Sequence, residues 1–336
     1  MAENATVAAR RGSPTLVAGL ALAGLLVLAA VAGPAGRGVD PRRQLDPARA
    51  GHLPPGARVE SVRLADGREL AAERIEVESD AVHLVGRAGE DRIPLAAVAP
   101  GAPGAAIRSE SFPLGTDRFG RDLAARLLAG GRVSLAVAAL AVALALAVGV
   151  PIGLLAGLAG PRWDRSALAL IEAAQAFPRL FLLVALAAVT RPGLGPVVLL
   201  LGLTGWMPVA RLVRAEVRTL ATRDFVVAAR AAGVGPLRLA LRHLLPNALA
   251  PVAIEGSLAA ASAIVAEATL SFLGLGLPPP TPSWGGMIAD GRDVLASAWW
   301  VSVFPGLALA AAALAFNLIG EGLRDRLDPR ARRLEA

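Results

Sequence analysis

The sequence contains no lysine: all 34 of its basic residues are arginine. A P-loop needs a lysine to reach nucleotide phosphates and Schiff-base chemistry needs a lysine amine, so both are excluded. Cysteine is also absent, which removes disulfides, thiolate nucleophiles and thiolate metal sites but says little about compartment. The three histidines, His52, His83 and His243, are far apart and no HExxH occurs. A membrane-embedded hydrolase therefore has no metal cluster or base to draw on, and neither a metal nor another cofactor is expected. Charge is sparse at 18% of 336 residues, whereas 55% are hydrophobic and Gly and Pro are frequent. That is a membrane profile. The pI of about 11.3 does not call for nucleic acid as a partner, because the arginines cluster beside apolar runs, where cytoplasmic retention is the simpler cause.

Six runs approach the roughly 20 apolar residues that a bilayer requires: 15–32, 133–159, 167–189, 196–212, 248–273 and 300–319. The fold class expected is an all-α polytopic membrane protein with six transmembrane helices. The first run follows Arg10 and Arg11, so it reads either as a secretory signal, cleaved near residues 31–33, or as an anchor. With the N-terminus inside, the inner segments hold Arg162, Arg165, Arg214, Arg218, Arg223, Arg230, Arg238, Arg242, Arg324, Arg326, Arg330, Arg332 and Arg333. Only Arg191 and Arg292 fall in the two short outer loops. The positive-inside rule selects that orientation, since long outer segments are exempt from it.

Residues 37–112 form the long outer segment. Strand-like runs at 58–64, 70–77, 82–85 and 92–95 are separated by turn signals at Asp66-Gly67, Ser79-Asp80 and Gly89-Glu90, and prolines at 54–55 and 100–103 isolate the group. The expectation is a small β-module of about four strands over residues 56–98, marginal in stability by size alone. It reads either as an ornament packed on the spans or as a docking surface.

The stretch 224–251, DFVVAARAAGVGPLRLALRHLLPNALAP, is polar and basic between two apolar runs. Its first half predicts a short helix over 225–232 whose Ala228, Ala229, Ala231 and Ala232 leave little side-chain bulk, ended by Gly233. A second helix over 237–245 places Arg238 and Arg242 four residues apart on one face and stops at Pro246-Asn247. This stretch resembles the coupling loop of ABC-transporter membrane subunits: Glu-Ala-Ala, three residues, Gly, nine residues, a hydrophobic residue, any residue, Leu-Pro. Ala228, Ala229, Gly233, Leu245 and Pro246 fall in register, with Val227 in place of the glutamate and His243 in place of an aliphatic residue. His243, Pro246 and Asn247 match a His-x-x-Pro-Asn variant of the peptide branch. LGTDRFGRDL at 114–123, ATLSFLGLGLPPPTPSWGGM at 268–287 and FNLIGEGLRDRLDPR at 316–330 resemble that branch too.

The resemblance implies a permease subunit of a dipeptide, oligopeptide or nickel importer with a type I importer fold. Such a subunit catalyses nothing itself. It forms half of a pathway with a second, similar permease, binds two cytoplasmic ATPase subunits and receives substrate from an extracytoplasmic binding protein. The resemblance also favours an anchor for the first run and a bacterial inner membrane as location. The organisation expected is a cytoplasmic N-terminus and first span (1–36), the outer segment (37–112), a permease core (113–322) with the coupling loop at 215–247, and a basic cytoplasmic tail (323–336).

Other candidate residues follow from position. Thr116 or Asp117 can cap a helix along the outer interface, with Leu123, Leu127 and Leu128 toward lipid and Arg121, Arg126 and Arg132 toward water. Thr116, Asp117, Gly120, Arg121 and Asp122 then belong either to an outer gate or to ordinary surface pairing. Ionisable groups within spans are costly, so Glu172, Arg179, Glu255 and Glu267 each need a partner or a water-filled path. Glu172 shares a face with Gln175 and, two turns on, with Arg179, so Glu172 and Arg179 read either as an ion pair or as path residues. Asn317 reads as a helix-packing group. The prolines at 278–280 and 282 predict an extended outer loop suited to docking, and Trp284, Trp299 and Trp300 sit where interfacial aromatics belong. An ion-coupled secondary transporter could also use Glu172 or Glu267, but it would show inverted halves and have no use for a docking loop.

Overall fold

The computed structural model describes residues 13–87, 89–99 and 107–327. Arg10, Arg11, Arg330, Arg332, Arg333 and the prolines at 100–103 lie outside them. The chain divides into two compact units. The first comprises residues up to Val27, Ser134–Pro278 and residues from Leu309 onward, and the second comprises Leu28–Val133 and Pro279–Ala308.

Among the described residues five helices are long and apolar enough to cross a membrane: α1 (Pro14–Arg37), α3 (Leu123–Leu158), α6 (Leu194–Ala221), the run Pro236–Phe272 and α11 (Trp300–Leu327). A bent pair, α4 (Pro161–Gln175) and α5 (Arg179–Val189), whose axes differ by 77°, has the apolar length for a sixth crossing if the two helices count as one span. This corrects the unbroken span expected at 167–189. Pro178 has no N–H for the helical ladder and biases Phe177 away from helical backbone, so the chain turns there.

Glycine spacing sets a close helix contact in the first unit. Gly149, Gly153 and Gly157 line one edge of α3 every four residues. A Cβ at Gly153 would stand 2.6 Å from the Val213 Cβ and 2.7 Å from the Ala210 carbonyl oxygen of α6, and one at Gly157 would stand 2.5 Å from the Val217 Cγ1. Lipid supplies no hydrophobic drive between helices, so such small-residue seams let dispersion do the packing. The same device joins α1 to α11: a Cβ at Gly19 would meet the Ile319 backbone nitrogen at 2.7 Å, and one at Gly322 would meet that of Leu16 at 2.4 Å.

In the second unit the β-segment builds two three-stranded antiparallel sheets. β1 (Ala57–Arg63) lies between β2 (Glu69–Ala72) and β6 (Ile107–Phe112), and β4 (Ala81–Gly86) lies between β3 (Arg74–Val77) and β5 (Gly89–Pro94). Val62, Ala72, Ile75, Val82, Leu84 and Val98 form the core between the sheets, while Val59 turns the other way, onto Leu45, Leu53, Ala71 and Phe112. The run expected at 70–77 is thus two strands of different sheets, and β6 extends the pairing beyond the bounds expected for the module. Arg43 spans the first sheet, donating to Glu69 on β2 and Glu110 on β6. Burial opposes its charge, but those hydrogen bonds outweigh it and hold the guanidinium pKa above its ordinary value.

Candidate functional site

The coupling-type loop begins with α7 (Asp224–Ala231). Val226 is its inward residue, fully buried against Val209, Val213 and Val217 of α6 and against Leu239 and Leu244. The helix ends in a left-handed turn. Gly233, at φ +79°, donates to the Arg230 carbonyl at 2.9 Å, and Val234 donates to that of Ala229 at 3.1 Å. This double return satisfies the terminal carbonyls and requires a residue without a Cβ penalty. Ala229 is half-buried and packs against the same core, whereas Ala228 is exposed.

The second helix does not stop at Pro246-Asn247, as the sequence reading expected. α8 (Pro236–Leu239) passes through a π-helical turn at Ala240–Leu244 into α9 (Leu245–Phe272). The wider turn accommodates a residue that cannot donate to the ladder, and the Asn247 side-chain amide donates to the His243 carbonyl at 2.6 Å. His243 and Leu245 are half-buried, Pro246 is exposed, and Arg238 and Arg242 are both exposed. Around them stand bare apolar side chains: Phe225 is 43% exposed, Val227 54%, Leu237 71% and Leu241 53%. The sequence reading noted Val227 only as standing in place of the glutamate and did not put any of the four among the candidate residues. Their signal was the alternation with Val226, Leu239 and Leu244, which are buried. The loop therefore has an apolar underside that fixes it to α6 and an apolar, arginine-studded upper side. Asp164 holds Arg214 and Arg218 of α6, at 2.9 and 2.7 Å, near where that helix enters the loop.

Of the intramembrane candidates, two are brought together and three are not. Arg179 and Gln175 line a cavity of about 350 Å³ with Phe177, Pro178, Thr204 and Met207. Arg179 also lines a cavity of about 460 Å³, open on one side, whose walls include Ser262, Val265 and Thr269 of α9 and Asn317 of α11. Asn317 lines that space, and among the described residues no hydrogen bond joins it to a neighbouring helix. Glu172 forms no ion pair with Arg179 among the described residues. The break at Pro178 separates their faces, and Glu172 lies near Arg214. Glu255 is half-buried and lines neither cavity. Glu267 is fully enclosed, accepting from Ser271 Oγ at 2.8 Å with Ser134 Oγ at 3.4 Å.

The segment 114–122 is a buried knot of tight turns, which corrects the interfacial helix expected there. Asp117 is 1% exposed and Arg121 4%. Asp117 accepts from the backbone N–H of Phe119 and Arg121 and from Arg121 Nε at 2.6 Å, with Arg126 at 3.3 Å. Thr116 donates to the Ala50 carbonyl and accepts from the Leu53 N–H. Asp122 caps α3 through the N–H groups of Ala124 and Ala125 and pairs with Arg37. Arg132, expected toward water, donates to the carbonyls of Ala30 and Val31. Trp284 opens α10 (Trp284–Asp290), is 3% exposed and donates to the Leu127 carbonyl at 3.0 Å. Trp300 is also buried, so of the three tryptophans only Trp299, 47% exposed, fits an interfacial role. Residues 279–280 form a turn, not the extended run expected of the prolines.

The model of the binding-protein-dependent transport system inner membrane component family matches residues 149–333, from the glycine seam of α3 through the loop and both cavities. The chain belongs to this family. As a multi-pass transport permease component it is similar to the di/tripeptide transport system permease protein DppC of Pseudomonas aeruginosa (strain UCBPP-PA14). The two are 44% identical over 219 residues, covering 65% of this chain and 72% of that one. It is also similar to the dipeptide transport system permease protein DppC of Alkalihalophilus pseudofirmus, 40% identical over 217 residues, 64% of this chain and 71% of that one. Its fold matches a chain of the MetNI methionine ABC transporter, solved in inward-facing conformations, with a TM-score of 0.52 at 20% identity over 60% of this chain and 96% of that one.

Proposed function

We propose that this permease forms half of the transmembrane pathway of an ATP-driven importer of di- or oligopeptides. A second permease supplies the other half, two cytoplasmic ATPase subunits seat on the loop at 215–247, and an extracytoplasmic binding protein delivers the peptide. The observation that carries the coupling role is the two-sided loop. Its buried Val226 face ties it to α6, while Phe225, Val227, Leu237 and Leu241 remain bare among arginines, and such a patch in water calls for a protein partner. The peptide assignment draws on the named functions of the two relatives. Arginine bias supports an inner-membrane protein with both termini cytoplasmic, the β-segment at 37–112 outside and the permease core at 113–322. ATP hydrolysis in the partners would rock the permeases against each other, with the loop carrying the movement.

The test is uptake of a labelled dipeptide into proteoliposomes holding the full complex. We expect accumulation that requires ATP, both ATPase subunits and the loaded binding protein, and that persists when a proton ionophore is added. Uptake by this chain without the ATPases, abolished by the ionophore, would instead identify a secondary transporter. Uptake of nickel or another solute in place of peptide would keep the permease role and replace the substrate.

A further inference from the structure

Arg179 has no counter-ion within the described part of the chain. Among the described residues no carboxylate pairs with it, and its hydrogen bonding there is a long Nε contact to Thr204 Oγ1 at 3.5 Å. Thr204 stands ten residues into α6, about 15 Å along its axis and in the middle of the apolar run 196–212 that the sequence reads as a span, which sets Arg179 at that depth. It also occupies the first position of α5, where the helix dipole opposes positive charge. A guanidinium at that depth is stable only where water or an anion reaches it, and Arg179 is exposed and lines an open cavity.

The shape and chemistry of that cavity narrow what the anion is. The lining shared with Arg179 includes Ser262, Thr269 and Asn317 as its polar side chains, with the Thr269 hydroxyl donating to the Val265 carbonyl at 2.8 Å, and the rest of the wall is leucine, valine and alanine. Hydroxyl and amide groups can serve a peptide bond as donors or acceptors without reading side chains. Small apolar walls leave room for varied residues. A volume of about 460 Å³ is large enough to seat part of a small organic ligand from its open side. We infer that Arg179 receives the C-terminal carboxylate of the peptide in transit, the planar fork binding both oxygens, with Ser262, Thr269 and Asn317 facing the adjoining peptide group. This inference rests on the peptide reading above and names the substrate group that the pathway recognises.

The experiment compares one labelled dipeptide with its C-terminal amide in proteoliposomes of the full complex, uptake being normalised to binding-protein occupancy. For Arg179→Gln we expect uptake of the free-carboxylate peptide to fall at least about tenfold, the range set by losing a charge-assisted hydrogen bond. Uptake of the amide should change less than about threefold, so the preference for the carboxylate collapses. Unchanged uptake of the carboxylate form would overturn the inference. Equal loss for both forms would also overturn it and assign the counter-ion to a carboxylate of the second permease. If Arg179→Gln does not assemble, Arg179→Lys decides: keeping charge without the fork, it should lower the carboxylate-to-amide ratio by about threefold, and an unchanged ratio overturns the proposal. Wild-type complex that takes up neither form would sink the peptide reading itself, and this inference with it.

Discussion

Gly120 shows how much of the second unit depends on single residues. It holds φ +67°, and a Cβ there would stand 1.8 Å from the Leu45 carbonyl oxygen. Both the left-handed backbone and the contact exclude a side chain. Gly120→Ala should therefore cost about 3 kcal/mol or more, read as a clear fall in the apparent melting temperature of the purified protein in detergent. An unchanged melting temperature would mean the Leu45 contact yields freely. The motif around Gly120 was legible in sequence, but its burial was not. Spacing along LGTDRFGRDL gives charges and turns, whereas the enclosure of Thr116 and Arg121 comes from long-range neighbours, Ala50 and Leu53 for the first and Asp290 for the second. Trp284 was misplaced for the same reason: indole is as suited to a buried hydrogen bond as to an interface.

At the scale of elements, apolar length located the five unbroken spans, and glycine spacing fixed how two of them meet. Gly153→Leu should prevent α3 from seating on α6, because the added side chain meets both Val213 and the Ala210 carbonyl. Gly153→Ala should cost about 1–3 kcal/mol. Gly24→Ala in α1, with nothing within 4 Å of its Cβ, should be neutral or slightly stabilising. Detergent melting curves of the three variants check this, and equal curves for Gly153→Ala and Gly24→Ala would contradict the seam. Two prolines were harder to read. Pro178 bends its span by 77°, while Pro246 sits in an unbroken run because a π-turn precedes it. Proline alone does not reveal which outcome local packing permits. β6 was missed because IRSESF alternates weakly and gains its identity from pairing with β1.

At the scale of the whole molecule the account turns on one surface. The sequence placed the loop, its small residues and its terminating glycine. It did not separate Ala229, which packs inward, from Ala228, which faces out, since that depends on how α7 lies over α6. Bulk at Ala229 would disturb the loop's own core, so the informative position is Ala228. The direct measurement is binding-protein-stimulated ATPase activity and peptide uptake of the full complex carrying Ala228→Trp, with its melting temperature as the folding control. We predict a wild-type melting temperature together with loss of both stimulation and uptake by at least about tenfold, the effect of one large side chain wedged into a close-packed contact. Wild-type stimulation and uptake in that variant would contradict the central claim that this loop seats the ATPase subunits.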